Sequence, residues 1–386
     1  MIPYGRQDIS ESDIAAVVEV LRSDWLTQGP VVESFEETVR RHCWAGHAVA
    51  VNSATSALHL ACRAIGLGPG DTLWTSPNTF VASANAALYC GADVDFVDID
   101  SRTYNLSVPA LAEKLERASR SGTLPKVVMP VHFAGQSCDL EGIAQLAHRY
   151  GFSVLEDASH AIGGEYKGAP IGDCRFSSMA VFSFHPVKIV TTGEGGMAVT
   201  NDSRLADRMR ELRSHGITRD PGRMESRAHG PWYYEQTDLG YNYRLTDMQA
   251  ALGKSQMGRI GEFVDARHRI ARRYGELLAD LPLILPWQDP DGRSAYHLYP
   301  VCIDPARTKA SRLEVFGKLR ASGIGVNVHY IPVHTQPYYR RLGFRPGDFP
   351  AAEGYYGRAM SLPMFPGLTE QAQLDVVACL HEAFGR

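Results

Sequence analysis

Lys188 closes the segment Ser183-Phe184-His185-Pro186-Val187-Lys188, behind an apolar run and ahead of Thr191-Thr192-Gly193-Glu194-Gly195-Gly196. A lone lysine in a loop is ordinarily a solvated charge. This one follows an apolar, aromatic approach and precedes a glycine-rich turn, so the backbone here is shaped around something. A lysine amine with a lowered pKa serves as nucleophile and as proton shuttle. Asp157 is the second such residue, at the end of the apolar run Phe152–Leu155. A carboxylate there needs a partner, because an unpaired buried charge is very costly. A protonated ring nitrogen of a flat cofactor is one partner, and it would keep that ring an electron sink. A helix N-cap or an ordinary salt bridge is another.

Asn52-Ser53-Ala54-Thr55-Ser56-Ala57-Leu58 places small hydroxyl residues where a helix begins. Backbone N–H groups and the helix dipole favour an anion at such a point, and Ser183 can add a hydroxyl. Simple N-capping by Ser53 explains the same residues. Phe80, in Asn78-Thr79-Phe80-Val81-Ala82, offers a face for a flat ring or is plain core.

These residues need a scaffold, and the chain patterns one. Ser10 to Ser23 opens with a capping-box-like Ser10–Asp13 pair and continues with Ile14, Val17, Val18 and Leu21 at helical spacing. A second helix is predicted from Ser53 to Ile65, and a third from Asp139, its N-cap, to Tyr150, with Gly151 as its stop. Short apolar strands are predicted at Leu73–Thr75, Val94–Val97, Val127–His132, Phe152–Leu155, Met179–Phe184 and Gly196–Thr200. Strands separated by crossover helices imply an α/β fold with a mostly parallel sheet covered on both faces. Ligands collect beyond the carboxyl ends of such strands, where Asp157 and Ser183–Lys188 fall. Ile217–Tyr243 fits no period and reads as a long irregular loop. A helix from about Ile260 to Leu278 leads to a smaller α+β unit. That unit has strands at Tyr296–Cys302 and Gly325–His329, a helix near Ser311–Ala321 and a last helix from Thr369. The expected division is a large domain over residues 1–255 and a small one over 256–386.

Composition bounds the rest. Apolar residues make up 44% of 386 and the formal net charge is −4, which suits a globular protein with no electrostatic draw toward nucleic acid. No apolar run reaches membrane-spanning length and the N-terminus lacks signal-peptide features. The seven cysteines are scattered and read as reduced thiols of a cytoplasmic protein. No pair of histidines has the i,i+4 spacing of zinc enzymes, so no metal is expected. Arg210–Asp220 is either a diphosphate contact or a solvated helix end.

The order and spacing of these motifs resemble the sugar aminotransferases of the DegT/DnrJ/EryC1/StrS family, a branch of the fold-type I pyridoxal-phosphate enzymes with aspartate aminotransferase-like architecture. The matching stretches are Gly29-Pro30 with Phe35-Glu36, Asn52–Leu58, Glu156–Ala161, Ser183–Lys188, Gly193–Gly196 and Gly240–Arg244. The resemblance implies pyridoxal 5′-phosphate held covalently by Lys188, with Asp157 on its ring nitrogen and Phe80 stacked on its face. It implies phosphate contacts near Ala54, Thr55 and Ser183, and Asn242 reaching the phosphate across a homodimer with shared active sites. His160 stands where the family usually has Gln, a hydrogen-bonder to the cofactor's phenolic oxygen; imidazole can donate to the same atom.

Within the family, Ile2–Gln7, Ser23–Pro30, Ser183–Lys188 and Val326–Pro332 are most similar to the pseudaminic-acid branch. That branch aminates C4 of a UDP-linked 4-keto-6-deoxy-N-acetyl-L-hexosamine with glutamate as donor. The substrate contacts so implied are Tyr4, Arg6, Leu26, Thr27, Gln28, Gly29, Ser56, Asn242, His329, Tyr330 and Tyr338. For Tyr4 and Arg6 the plain alternative is a disordered tail; for His329 and Tyr330 it is an ordinary strand end. Two rival functions stay open: an aminotransferase for another 3- or 4-keto nucleotide sugar, and a regulator that binds the cofactor without turnover.

Overall fold

The computed structural model describes residues 1–385. Its first unit is a seven-stranded sheet. The strands are β1 (His47–Val51), β2 (Thr72–Thr75), β3 (Asp93–Phe96), β4 (Val127–Met129), β5 (Ser153–Asp157), β8 (Met179–Ser183) and β9 (Gly196–Thr200), with the small strands β6 (Glu165–Tyr166) and β7 (Ala169–Pro170) in a side hairpin. Their order is β1-β9-β8-β5-β4-β2-β3. From β3 to β8 every pairing is parallel, while β9 runs antiparallel to both of its neighbours. The helices of this unit are α1 (Glu11–Leu21), α2 (Pro30–His42), α3 (Ala54–Ile65), α4 (Val81–Tyr89), α5 (Val108–Ser121), α6 (Leu140–Tyr150), α7 (Ser203–Arg213) and α8 (Asp247–Met257).

The alternation along each strand assigns those helices to faces. Leu73, Met179, Val181 and Ala198 pack with Leu58 and Leu60 of α3, Ala84 and Ala87 of α4, and Met209 and Leu212 of α7. Ala180, Phe182, Met197 and Val199 point the other way, to Phe35 and Val39 of α2 and Ala250 and Met257 of α8. Further along that second face, Trp74, Val128 and Val154 meet Leu111 and Leu115 of α5 and Ile143 of α6. Strands buried on both sides read as near-continuous apolar runs, as these do.

Local chemistry fixes the helix ends. Ser10 and Asp13 form the reciprocal capping box of α1, Ser53 caps α3, and Asp139 and left-handed Gly151 bracket α6. The start of α2 has no side-chain cap of its own. Instead the buried Asp247 takes the N–H groups of Gly29 (2.7 Å), Val31 (2.9 Å) and Val32 (3.3 Å). That carboxylate sits where the helix dipole favours negative charge, and it pins the Leu26–Gly29 turn to α8.

The Ile217–Tyr243 stretch is irregular apart from a two-residue ladder of β10 (Ile217–Thr218) with β11 (Glu235–Gln236). Helix α9 (Ile260–Leu277) then joins two cores. Phe263 and Val264 belong to the first, and Ile270 and Tyr274 to a second. The second holds a three-stranded antiparallel sheet, β12 (Leu283–Ile284), β14 (Tyr299–Ile303) and β15 (Ala359–Leu362), covered by α10 (Arg312–Ala321) and the last helix, α11 (Glu370–Ala383). Strand β13 (Gly292–Arg293) pairs instead with β6.

Three strands differ from expectation. The one expected at Tyr296–Cys302 starts only at Tyr299, because Tyr296 has a left-handed backbone and lies in a turn. Gly325–His329 forms no strand. Its backbone splits its bonds, Gly325 N to Ile2 O (2.6 Å) and Asn327 in an isolated bridge with Ser361. The run expected at Val127–His132 ends at Met129, where Val131 to Gly135 turn through a short 3₁₀ segment. The N-terminus is not a loose tail. Ile2 N bonds Gly323 O (2.9 Å) and Tyr4 O receives Met364 N (2.9 Å), so residues 2–4 are stitched into the second unit. No helix among the described residues is long and apolar enough to cross a membrane.

Candidate active site

A cavity of about 550 Å³ opens where β4, β5 and β8 end. The first unit contributes Ser53, Ala54, Thr55, Thr79, Phe80, Asp157, His160, Ser183, Lys188 and Glu194 to its wall. The second contributes His297, Asn327, Val328, His329 and Tyr330, and Tyr4 enters from the N-terminus. Ten residues expected at a site therefore line one space: Tyr4, Ala54, Thr55, Phe80, Asp157, His160, Ser183, Lys188, His329 and Tyr330.

The loop after β8 folds back on itself to present Lys188. Phe184 N bonds Gly195 O (2.9 Å), Thr192 N bonds Phe184 O (3.0 Å), and Lys188 N bonds His185 O (2.8 Å). Gly193 takes a left-handed backbone at the turn, and Gly196 serves close approach. A Cβ on Gly196 would lie 2.5 Å from the backbone of Ser53 and Ala54, so only glycine lets β9 touch the start of α3. Burial drives the Lys188 ammonium down to about 8, against the raising pull of Asp157.

Asp157 is neither a helix cap nor, among the described residues, half of a salt bridge. Its carboxylate accepts from Ser83 Oγ (2.7 Å) and Ser159 N (3.1 Å). Its main chain is clamped as well, N to Pro130 O (2.9 Å) and O from His132 N (3.1 Å). Behind it, Glu156 accepts from His132 Nε2 (2.8 Å) and from the Ser177 hydroxyl, so adjacent carboxylates point to opposite sides of the sheet.

At the start of α3 the Ser53 hydroxyl takes the Ser56 N–H (3.1 Å). Ser56 spends its own hydroxyl on Asn52 Oδ1 (2.7 Å). The amides of Ala54 and Thr55 have no intrahelical partner, and both residues line the cavity. With the hydroxyls of Thr55 and Ser183 on the same cavity wall, they offer donors to an anion at the positive end of a helix. His160 also lines the cavity, and its Nδ1 is buried without a hydrogen-bond partner among the described residues. A carboxylate, an amine of lowered pKa, an anion cradle and an orphaned imidazole nitrogen in one space fit pyridoxal phosphate.

The remaining wall is aromatic and neutral. Burial and the charge of Lys188 push His329 down to about 4 and His160 and His297 well below the ordinary imidazole value. His329 bonds Ser361 Oγ (2.8 Å), and its ring lies 5.4 Å from that of Tyr4. Phe80 is 59% exposed, at the cavity mouth rather than in the core.

Other expected contacts lie outside this cavity in the single chain. Arg6, Leu26, Thr27, Gln28 and Asn242 are exposed, and Tyr338 is half exposed on a short surface helix. Ser56 and Gly29 are engaged in capping. Sequence reasoning missed Ser83 and His297. Neither carries a local signal: Ser83 sits inside an Ala-rich helix, and His297 arrives from the far unit on a turn held by Arg267, whose Nη1 donates to Tyr296 O (3.0 Å) and His297 O (3.2 Å).

The DegT/DnrJ/EryC1/StrS aminotransferase family profile matches residues 7–381. The spore coat polysaccharide biosynthesis protein SpsC of Bacillus subtilis is 41% identical over 384 residues, 99% of this chain and 96% of its own. The UDP-4-amino-4-deoxy-L-arabinose–oxoglutarate aminotransferase of Shewanella sediminis is 38% identical over 393 residues, 100% of this chain and 98% of its own. PseC of Helicobacter pylori, an aminotransferase involved in the biosynthesis of pseudoaminic acid, superposes with a TM-score of 0.90 at 31% identity over 99% of both chains. Spr1654 of Streptococcus pneumoniae, solved in a PLP-form, superposes with a TM-score of 0.88 at 28% identity, over 99% of this chain and 98% of its own. The mixed α/β fold is that of the aminotransferases, and the protein is an enzyme of that class. It belongs to the DegT/DnrJ/EryC1/StrS aminotransferase family.

The lowered Lys188 value has a readable consequence. In the ligand-free protein, acetylation of Lys188 by acetic anhydride, followed by peptide mass spectrometry across pH, should reach half its maximal rate near pH 8. Asp157→Asn removes the attraction that favours the charged amine, so its midpoint should fall lower still. A midpoint near the ordinary 10.5 would contradict the site electrostatics.

Proposed function

We propose that this enzyme transfers an amino group from glutamate to C4 of a UDP-linked 4-keto-6-deoxy-N-acetylhexosamine, using pyridoxal 5′-phosphate. The observation that carries the reading is the convergence of Lys188, Asp157 and the start of α3 on one cavity. The similarity to PseC supports the acceptor class, and the PLP-form of Spr1654 supports the cofactor. When bound, the cofactor supplies an electron-withdrawing ring that stabilises the charge left by breaking a C–H bond next to nitrogen.

The chain's residues have distinct duties in this reading. Ala54 N–H, Thr55 and Ser183 would anchor the phosphate, Asp157 would keep the ring nitrogen protonated, and Phe80 would cover one face. Lys188 Nζ, whose proton is more easily lost than an ordinary lysine's, would hold the cofactor through its aldehyde carbon and, when free of it, would take and return the proton at the reacting carbon. A positioned proton carrier of this kind contributes about 10²–10⁴-fold. Tyr4, His329 and Tyr330 give the sugar an aromatic wall with directed polar groups, and Arg6 offers a cation for the diphosphate. Neutral imidazoles suit an uncharged sugar ring, because none brings a charge that must be paired.

The reading keeps two domains, 1–255 and 256–386, with residues 2–4 docked on the second and Ile260–Val264 packed into the core of the first, in a cytoplasmic homodimer. Exposed Trp25, Leu26, Trp232 and Leu239 supply apolar surface for the partner. Asn242, exposed and outside its own chain's cavity, is assigned to the partner's phosphate site. A second reading, amination of a UDP-4-keto-pentose, is favoured by the 38% identity to the Shewanella enzyme.

Two outcomes are expected. Individually impaired Lys188→Ala and Asn242→Ala proteins should recover activity when mixed and re-equilibrated, because one hybrid site is intact. Full activity in a monomer verified by sedimentation would remove the shared site. With glutamate as donor, and products followed by mass spectrometry and NMR, the L-altro-type 4-keto sugar should be preferred sharply over the D-gluco-type. Sites built to bond a particular group reject analogues lacking it by about 10⁴–10⁵. Preference for the D-gluco epimer, a 3-keto sugar, a dTDP sugar or a UDP-pentose would reject the acceptor and leave the transaminase intact.

A further inference from the structure

Tyr330 lines the cavity, and its hydroxyl lies 3.1 Å from His160 Nε2. That nitrogen is its one partner among the described residues. The two ring planes differ by 22°, and Phe133 packs edge-on against Tyr330 with centroids 6.3 Å apart. A tyrosine hydroxyl keeps its proton at neutral pH, and burial raises Tyr330 further above its ordinary value. The hydroxyl therefore has one proton to donate and one acceptor in reach.

His160 is neutral in this setting. It is 5% exposed, its ring lies 4.4 Å from that of His297, and Lys188, His329 and His132 also face it. A cation here would add a charge beside Lys188, with no carboxylate bonded to either ring nitrogen. A neutral imidazole carries a single N–H, and the partner of one nitrogen decides where it sits. If Tyr330 donates to Nε2, the proton resides on Nδ1, the buried atom that has no partner.

We propose that Tyr330 is a positioning residue that fixes the tautomer of His160, so that His160 presents Nδ1–H as a buried donor for a bound oxygen anion. The tautomer rests only on the chain's own atoms. The identity of the anion, the phenolic oxygen of pyridoxal phosphate, rests on the function proposed above. Tyr330 thereby acts on the reaction through His160, in addition to walling the sugar site.

Neutron diffraction from deuterium-exchanged crystals of the ligand-free protein tests the tautomer directly. The expected map has a deuteron on His160 Nδ1, none on Nε2, and the Tyr330 hydroxyl deuteron directed at Nε2. A deuteron on Nε2 with a bare Nδ1 would overturn the proposal, and the wild-type map alone decides this. Tyr330→Phe keeps the ring and loses the donor, so density should divide between the nitrogens or move to Nε2. An unchanged Nδ1-only deuteron in that variant would show that Tyr330 does not set the tautomer. In the holoenzyme, the pH at which the bound cofactor's visible absorption changes should differ between wild type and Tyr330→Phe. Identical midpoints would remove the cofactor oxygen as the acceptor, an outcome separate from the neutron result.

Discussion

A cationic amine and a carboxylate must share one poorly hydrated space at the ends of neighbouring strands, and the rest of the molecule is arranged around that requirement. Strands β5 and β8 pair in parallel with Asp157 beside Val181, so Asp157 and the loop that carries Lys188 emerge on the same edge of the sheet. Among the described residues no direct ion pair joins them. Asp157 is satisfied instead by neutral donors, Ser83 and Ser159. A full salt bridge would spend both groups on each other. Separate solvation leaves the carboxylate free for a cationic ligand atom and the amine easier to deprotonate than an ordinary lysine. Each further charge in this space would be expensive, which accounts for three imidazoles held neutral around it.

The scaffold makes this arrangement by short-range devices. Gly196 lets β9 pass against the start of α3, which puts two unpaired amides beside the loop of Lys188. Asp247 holds the Leu26–Gly29 turn and α2 together. Helix α9 carries one core into the other, and Arg267 on that helix fixes the turn that delivers His297. The N-terminal segment is bonded to residues 323–325 and 364, and this brings Tyr4 to the cavity. A site between two units is thereby built from segments more than 300 residues apart in the chain, Tyr4 and Tyr330 among them.

How far the sequence could be read follows from which of these devices are local. Ser10, Ser53, Asp139 and Gly151 mark helix ends by their own chemistry, and each marks one in the structure. Lys188 and Asp157 stood out because strand ends and glycine turns have local signatures. The choice between a cap, a salt bridge and a ligand contact for Asp157 was open, because it depends on Ser83 from another helix. His297 and the Tyr330–His160 contact were invisible for the same reason. Gly325–His329 has a strand's composition, but its backbone partners, Ile2 and Ser361, come from opposite ends of the chain and allow only isolated bridges. Ser56 and Gly29 have site-like positions and structural occupations, which only the hydrogen bonds reveal. The irregular Ile217–Tyr243 stretch was legible as irregular, since it lacks any period.

The central claim is that Lys188 is the amine this fold prepares for an aldehyde cofactor. Its most direct measurement is reductive trapping. The ligand-free protein is incubated with pyridoxal 5′-phosphate at pH 8, reduced with borohydride, digested and mapped by mass spectrometry. The account expects one dominant phosphopyridoxyl adduct, on the peptide containing Lys188, and its loss in Lys188→Ala. A dominant adduct on another lysine, or equal labelling of wild type and Lys188→Ala, would contradict it.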